Sequence, residues 1–275
     1  MAEVILDTSV LIGLCFRHAG ERAACNAVIP TEATRTCSRY ALFELARGFL
    51  RNLIQLHNDS FEFDSFSDLH QAAHSGAMRF KQYRMQTWLG AFDDYFAELD
   101  SADGSMAGNL KLEEFRAKLR GWIRRGWQKL HKDFAIRNDA GCRVLSPPKV
   151  RNDKLIDHEL PTDECGTPSA CGVQQFVTSR RAAFGAVKEA LGELVDPDSE
   201  TKKRIEALEH LLTTSPGLTF KGRKCHECGD ALVCLDAPNG AAVATKNKKH
   251  FAPIIAVLQQ ELIVARTASS TSAEH

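Results

Sequence analysis

An excess of charge of either sign is missing: 35 Lys and Arg meet 35 Asp and Glu, so the 275-residue chain has no formal net charge at pH 7. Bulk attraction to a polyanion is thereby excluded, and any basic surface has to be local. No apolar run approaches the ~20 residues that cross a bilayer as a helix. The amino terminus is apolar, but it lacks the basic region and small-residue cleavage site of a signal peptide and carries Glu3 and Asp7 within its run. There is no internal repeat, which sets aside a repeat array. Nine cysteines, at 15, 25, 37, 142, 165, 171, 225, 228 and 234, make an odd number scattered through a chain far larger than disulfide-stapled scaffolds. Free thiols in a reducing compartment fit that pattern, and the expectation is a soluble, cytoplasmic protein without a membrane partner. An apolar content of 44% is ordinary for a globular chain and ample for a core.

What is present begins with residues 1–14, MAEVILDTSVLIGL. Val4-Ile5-Leu6 has the composition of a short buried parallel strand, and it stops on Asp7. A carboxylate at the carboxyl end of a core strand stands where open α/β sheets bind ligands. Thr8 and Ser9 can cap a following helix whose inner face carries Val10, Leu11 and Leu14. A second helix over Gly20 to Val28 and a second strand over Ala33 to Cys37 follow. Ser38 then caps a helix over Arg39 to Leu50, with Glu44 away from its apolar face.

From about Arg51 to Asp163 the character changes, and the pattern predicts a mainly helical insertion. Its first part, His57 to Gly104, is acidic and rich in Phe. From Lys111 to Lys154 the sign flips, with thirteen Lys and Arg against five Asp and Glu. Leu112, Phe115, Leu119, Trp122, Ile123, Leu130 and Phe134 recur at three- and four-residue steps, which predicts a long amphipathic helix. Arg116, Arg120 and Arg124 share another face. They read either as a solvated face or as a stripe that follows phosphates, with Trp127 available to stack on a base. Loop signals at Ser146-Pro147-Pro148 and from Thr162 to Pro168 close the insertion. Helices over Val173 to Leu194 and Ser199 to Leu212, a turn at Pro216-Gly217, and a short strand at Leu218-Thr219-Phe220 come next. The tail, 266–275, is small, polar and expected to be disordered.

Near the carboxyl end, Gly229-Asp230 opens a short helix, and Ala241 to Ala244 forms a small apolar strand that ends at Thr245, with Asn247 two residues on. A strand ending in Asp7-Thr8-Ser9, a helix-borne Glu44 in Leu42-Phe43-Glu44-Leu45-Ala46, the helix start Gly229-Asp230-Ala231-Leu232-Val233, and a strand running into Thr245-Lys246-Asn247 and then Phe251 together resemble the PIN domain family. The resemblance spans about residues 1–50 and 218–260. It implies an α/β fold with a PIN-like parallel sheet flanked by helices, similar to a flap-endonuclease core. The chain then divides into a first core part (1–50), the helical insertion (51–163), a second core part (164–265) and the tail.

By the same resemblance, Asp7, Glu44 and Asp230 are the catalytic, metal-binding acids. Ser9 orients the first Asp, and Thr245 supports it from the last strand end. Asn247 occupies a further position that is often Asp in the family; it retains a carbonyl oxygen for a metal and lacks the charge. The implied activity is metal-dependent endonucleolytic cleavage of single-stranded RNA, as in many bacterial toxins, with DNA, an inhibitor protein and oligomeric state left open. Three carboxylates without thiolate or imidazole suit Mg²⁺ or Mn²⁺. The alternative is a PIN scaffold with little or no turnover that binds nucleic acid or protein, and a third reading makes the acids caps and the insertion a packing surface. Separately, Cys225-His226-Glu227-Cys228 has the spacing of a zinc half-site that Cys165 and Cys171 can complete, although a five-residue gap is atypical and buried free thiols are common.

Overall fold

Val4, Ile5 and Leu6 are at most 1% exposed, as a strand covered on both faces requires, and they form the core of β1 (Glu3–Leu6). The computed structural model describes residues 2–75, 82–100, 111–137, 139, 142, 146–156, 172–214 and 224–266. The predicted loop at 162–168, turn at 216–217, strand at 218–220 and the tail beyond Arg266 lie outside these residues, as do Cys165 and Cys171.

After β1, Asp7 itself caps α1 (Thr8–Cys15), so Thr8 and Ser9 are the first helical residues rather than the cap. His18 Nδ1 accepts from the first-turn N–H groups of Gly20 and Glu21 and starts α2 (Ala19–Val28). The second strand, β2 (Thr34–Ser38), ends on Ser38, whose Oγ accepts from Ala41 N at 2.9 Å and caps α3 (Arg39–Leu45). The helix runs on through a π-helical turn, Ala46–Leu50, into α4 (Arg51–Asp59). Then come α5 (Phe66–His74), α6 (Gln82–Asp100) and α7 (Leu112–Asp133). Phe66 centres an aromatic cluster with Phe92, Tyr95, Phe96 and Phe115, and this gives the helical region its own share of the core.

The range read as an insertion also returns a strand to the sheet: β3 (Ala135–Arg137) pairs parallel with β2. Three residues with Ile136 still 37% exposed carry no burial pattern, which is why the sequence does not announce this strand. A small hairpin follows, β4 (Lys149–Arg151) and β5 (Lys154–Ile156), turned by Asn152 and Asp153 with φ of 51° and 60°.

The helix expected over Val173 to Leu194 is two, α8 (Val173–Ser179) and α9 (Arg181–Gly192). The break falls at Arg180, whose guanidinium covers the Phe176 ring at 5.0 Å and donates to the Leu235 carbonyl. The chain continues through α10 (Ser199–Thr213), α11 (Lys224–Glu227), α12 (Gly229–Asp236), β6 (Ala242–Thr245), α13 (Lys248–Leu258) and β7 (Glu261–Val264).

The main sheet is wholly parallel in the order β3-β2-β1-β6-β7. Crossovers from β1 to β2 to β3 move one way, and the chain then returns to the other side of β1, so right-handed connections place the two helix groups on opposite faces. α1 packs on α2, α3 and α7 and α13 on α9 and α12, while α3 and α12 meet each other. The order reverses between β1 and β6, and a crevice outside their carboxyl ends is the expected ligand position. Among the described residues no helix is long and apolar enough to cross a membrane.

Candidate active site

Asp7 and Thr245 stand at the carboxyl ends of β1 and β6, across the strand-order reversal. Asp7 N donates to Ala244 O at 2.9 Å, which holds the two strand ends together. The Asp7 carboxylate is 6% exposed, and its Oδ2 accepts from Ser9 Oγ at 2.6 Å, Ser9 N at 3.3 Å and Thr245 Oγ1 at 2.9 Å. Each hydroxyl is oriented in turn: Ser9 Oγ accepts from Lys246 N at 3.1 Å, and Thr245 Oγ1 from Asn247 N at 2.9 Å. With both hydroxyl protons directed at Asp7, its orientation is fixed from two elements. Burial raises its pKa, opposed by these hydrogen bonds.

Glu44 comes from α3, and its Oε2 accepts from Thr8 Oγ1 at 2.5 Å. Burial, followed by the charge of Asp7 and then that of Asp230, pushes its pKa up to about 8 against the opposing Thr8 hydrogen bond and Arg47 charge. Asp230 lies in the first turn of α12 and presents its carboxylate instead of capping the helix. Its Oδ2 is 2.5 Å from Arg204 Nη2 and 3.7 Å from His250 Nδ1. Burial raises Asp230 to about 6; Arg204 opposes this and the Asp7 charge adds to it. The three acids therefore feel one another, although 186 positions separate Glu44 from Asp230.

They are not a ready-made ligand cage. Among the described residues, no group of three or more His, Cys, Asp and Glu side chains stands arranged to hold a metal ion. Asp7 is held by hydroxyls, Glu44 by Thr8 and Asp230 by Arg204, each by its own partner. The donor chemistry still fits a hard cation: all three offer carboxylate oxygen, and all three have pKa values raised first by burial, with neighbouring carboxylate charge adding at Glu44 and Asp230. Asn247 is exposed at the start of α13, with its Nδ2 2.8 Å from His250 Nδ1. His250 also reaches Glu200, 3.0 Å from its Nε2.

Sequence reasoning missed Thr8, Arg204 and His250. Thr8 was readable only as a helix start, while Arg204 and His250 lie on amphipathic helices with no motif around them. Arg204 is buried beside Asp230, and its Nε and Nη1 have no hydrogen-bond partner among the described residues.

The basic residues of α7 divide. Arg116 turns inward: its guanidinium donates to Ser60 O at 2.5 Å and to Ser60 Oγ at 3.1 Å, and lies 4.4 Å above the Phe61 ring. Arg120 is half-exposed, 3.6 Å from Asp153, and Arg124 is exposed. Trp127 is buried with its ring against His131, so its face is not open for stacking. Arg120, Arg124 and the edge of Trp127 line a groove of about 640 Å³ between α7 and the β4-β5 hairpin, with Ile123, Pro147 and Val150. Of the cysteine motif, Cys225 and Cys228 are buried. His226 between them stacks on Phe43 with ring centroids 6.0 Å apart, and faces Arg47.

No protein-family profile matches the chain, and no curated protein or solved structure is found similar to it. Function is therefore read from the site itself.

Proposed function

We propose that the chain is a metal-dependent endoribonuclease of the PIN type, cleaving phosphodiester bonds of single-stranded RNA with Asp7, Glu44 and Asp230 as the acids that bind Mg²⁺ or Mn²⁺. The observation that carries this reading is the placement of Asp7 between Ser9 and Thr245 at the carboxyl ends of β1 and β6, with Glu44 of α3 held by the adjacent Thr8, and the raised pKa values of Glu44 and Asp230 agree with it. A bound divalent ion supplies charge neutralisation at the phosphodiester and hydroxide at neutral pH. The chain's own contribution is orientation. Ser9 and Thr245 hold Asp7, Thr8 holds Glu44, and Arg204 opposes the burial that would neutralise Asp230. Arg120 and Arg124 supply accessible cations of α7 for the strand backbone.

Two observations favour a second reading, a PIN scaffold that binds nucleic acid or a protein without turning it over. Asp230 already has a cationic partner in Arg204, and Asn247 contributes no charge. A cleavage assay on single-stranded RNA with and without Mn²⁺ separates the two. The nuclease reading expects cleavage only with the ion, abolished in Asp7→Asn, while the thermal midpoint of that metal-free variant is unchanged or raised because carboxylate repulsion is relieved. Wild-type RNA binding without cleavage under every divalent ion would leave the binding module.

A further inference from the structure

A cavity of about 190 Å³ lies at the opposite end of α1 from Asp7, where the α1-α2 corner meets α6 and α7. Eight helical residues separate the two ends, about 12 Å of rise. Its walls carry Arg17, Arg22, Arg125 and Lys129 against two carboxylates, Asp94 and Glu98. Both carboxylates are engaged. Asp94 accepts from His18 N at 3.1 Å and pairs with Arg17 Nε at 2.8 Å. Glu98 takes Lys118 at 2.8 Å and Trp122 Nε1 at 2.9 Å. Cationic donors remain: the buried Nε of Arg22 has no hydrogen-bond partner, and Arg125 makes no ion pair, among the described residues. Lys129 Nζ uses one proton on Leu14 O, 3.0 Å away, and an ammonium has three to give.

Glycines leave room for these groups beside the cavity. α6 and α7 carry glycines at 90, 121 and 126, a residue that weakens a helix interior. A Cβ on Gly126 would fall 2.3 Å from the Phe16 ring, and one on Gly90 or Gly121 would meet the guanidinium of Arg17 at 2.6 Å or of Arg125 at 2.9 Å. Among the described residues of the wall the thiol is Cys15, whose pKa burial pushes up to about 12, which disfavours the thiolate.

We infer that this cavity is a binding site for a phosphate group, carried either by a small phosphomonoester or by the phosphorylated end of a nucleic-acid strand. It goes beyond the nuclease reading and does not depend on it.

The test is calorimetric titration of the full chain with inorganic phosphate, without divalent ions and at constant ionic strength. Wild type should bind one phosphate. Arg22→Gln/Arg125→Gln should weaken binding by at least about tenfold, the worth of one lost charge-assisted hydrogen bond. Lys202→Gln/Lys203→Gln, an equal charge loss on the exposed face of α10, should bind as wild type. Should the double variant misfold by circular dichroism, Arg125→Gln alone gives the same reading, because that side chain is exposed. Displacement by a nucleoside monophosphate assigns the site to a small phosphomonoester; displacement by a 5′-phosphorylated strand but not its 5′-hydroxyl counterpart assigns it to a strand end. Absence of binding in wild type, an undiminished affinity in the Arg variants, an equal loss in the Lys control, or displacement by neither competitor overturns the inference.

Discussion

At the scale of single residues, the site is a conflict among buried carboxylates, met by hydroxyl donors at Asp7, by Arg204 at Asp230 and by a retained proton at Glu44. Glu44 shows it best, since its pKa is raised to about 8 by burial and by Asp7. In the unfolded chain it titrates near 4.5, so between these values the folded state keeps a proton that the unfolded state has released. The stability it contributes is complete below the unfolded value and is lost as pH rises through about 8. Denaturant unfolding in EDTA should therefore show stability falling from pH 5 to 8. Glu44→Gln, which cannot titrate, should abolish about 2 kcal/mol of that fall, a figure reduced for solvent screening of a half-buried group. An unaltered slope in the variant would mean that Glu44 is already charged. Much of this was legible in the sequence at Asp7, Ser9 and Thr245, because a strand that ends on Asp fixes where the carboxylate must stand. Arg204 was not, for a lone Arg on an amphipathic helix looks the same whether it meets water or a buried Asp.

At the scale of elements, α7 shows what periodicity can and cannot tell. The apolar positions Leu112, Phe115, Leu119, Trp122, Ile123 and Leu130 are all buried, as their spacing requires. Spacing also aligns Arg116, Arg120 and Arg124, yet it is blind to the neighbouring turn at Ser60–Glu62 that takes Arg116. The two kinds of Arg should separate on substitution. Arg120→Ala/Arg124→Ala should weaken single-strand binding and flatten its salt slope by about 1.4, at about 0.7 per phosphate contact, with stability unchanged. Arg116→Ala should leave the slope alone and lower stability by about 1–3 kcal/mol, because it strips a buried carbonyl of its donor. Filter binding across a salt series with parallel thermal melts measures both, and an unchanged slope in the first variant would make the stripe a solvated face. The break at Arg180 and the strand β3 escaped the sequence for a related reason: both are set by partners distant in the chain, Leu235 and β2, rather than by a local pattern.

At the scale of the whole molecule, topology does the gathering. A parallel sheet whose order reverses between β1 and β6 brings residues from both ends of the chain to one edge, and the helices that follow β2 and precede β6 carry Glu44 and Asp230 to it. The α/β class and both core segments could be read from apolar runs that stop on polar residues, whereas the helical middle could be recognised as different in composition but not as a donor of a sheet strand. The central claim is that Asp7, Glu44 and Asp230 share one divalent ion, which requires Asp230 to leave Arg204 at least in part. Anomalous diffraction from crystals grown with Mn²⁺ tests it most directly. The account predicts one Mn²⁺ peak bounded by carboxylate oxygens of Asp7, Glu44 and Asp230, about 2.2 Å from each, as hard oxygen ligands require. Mn²⁺ bound elsewhere, or Asp230 still paired with Arg204 and no peak beside Asp7, would contradict it.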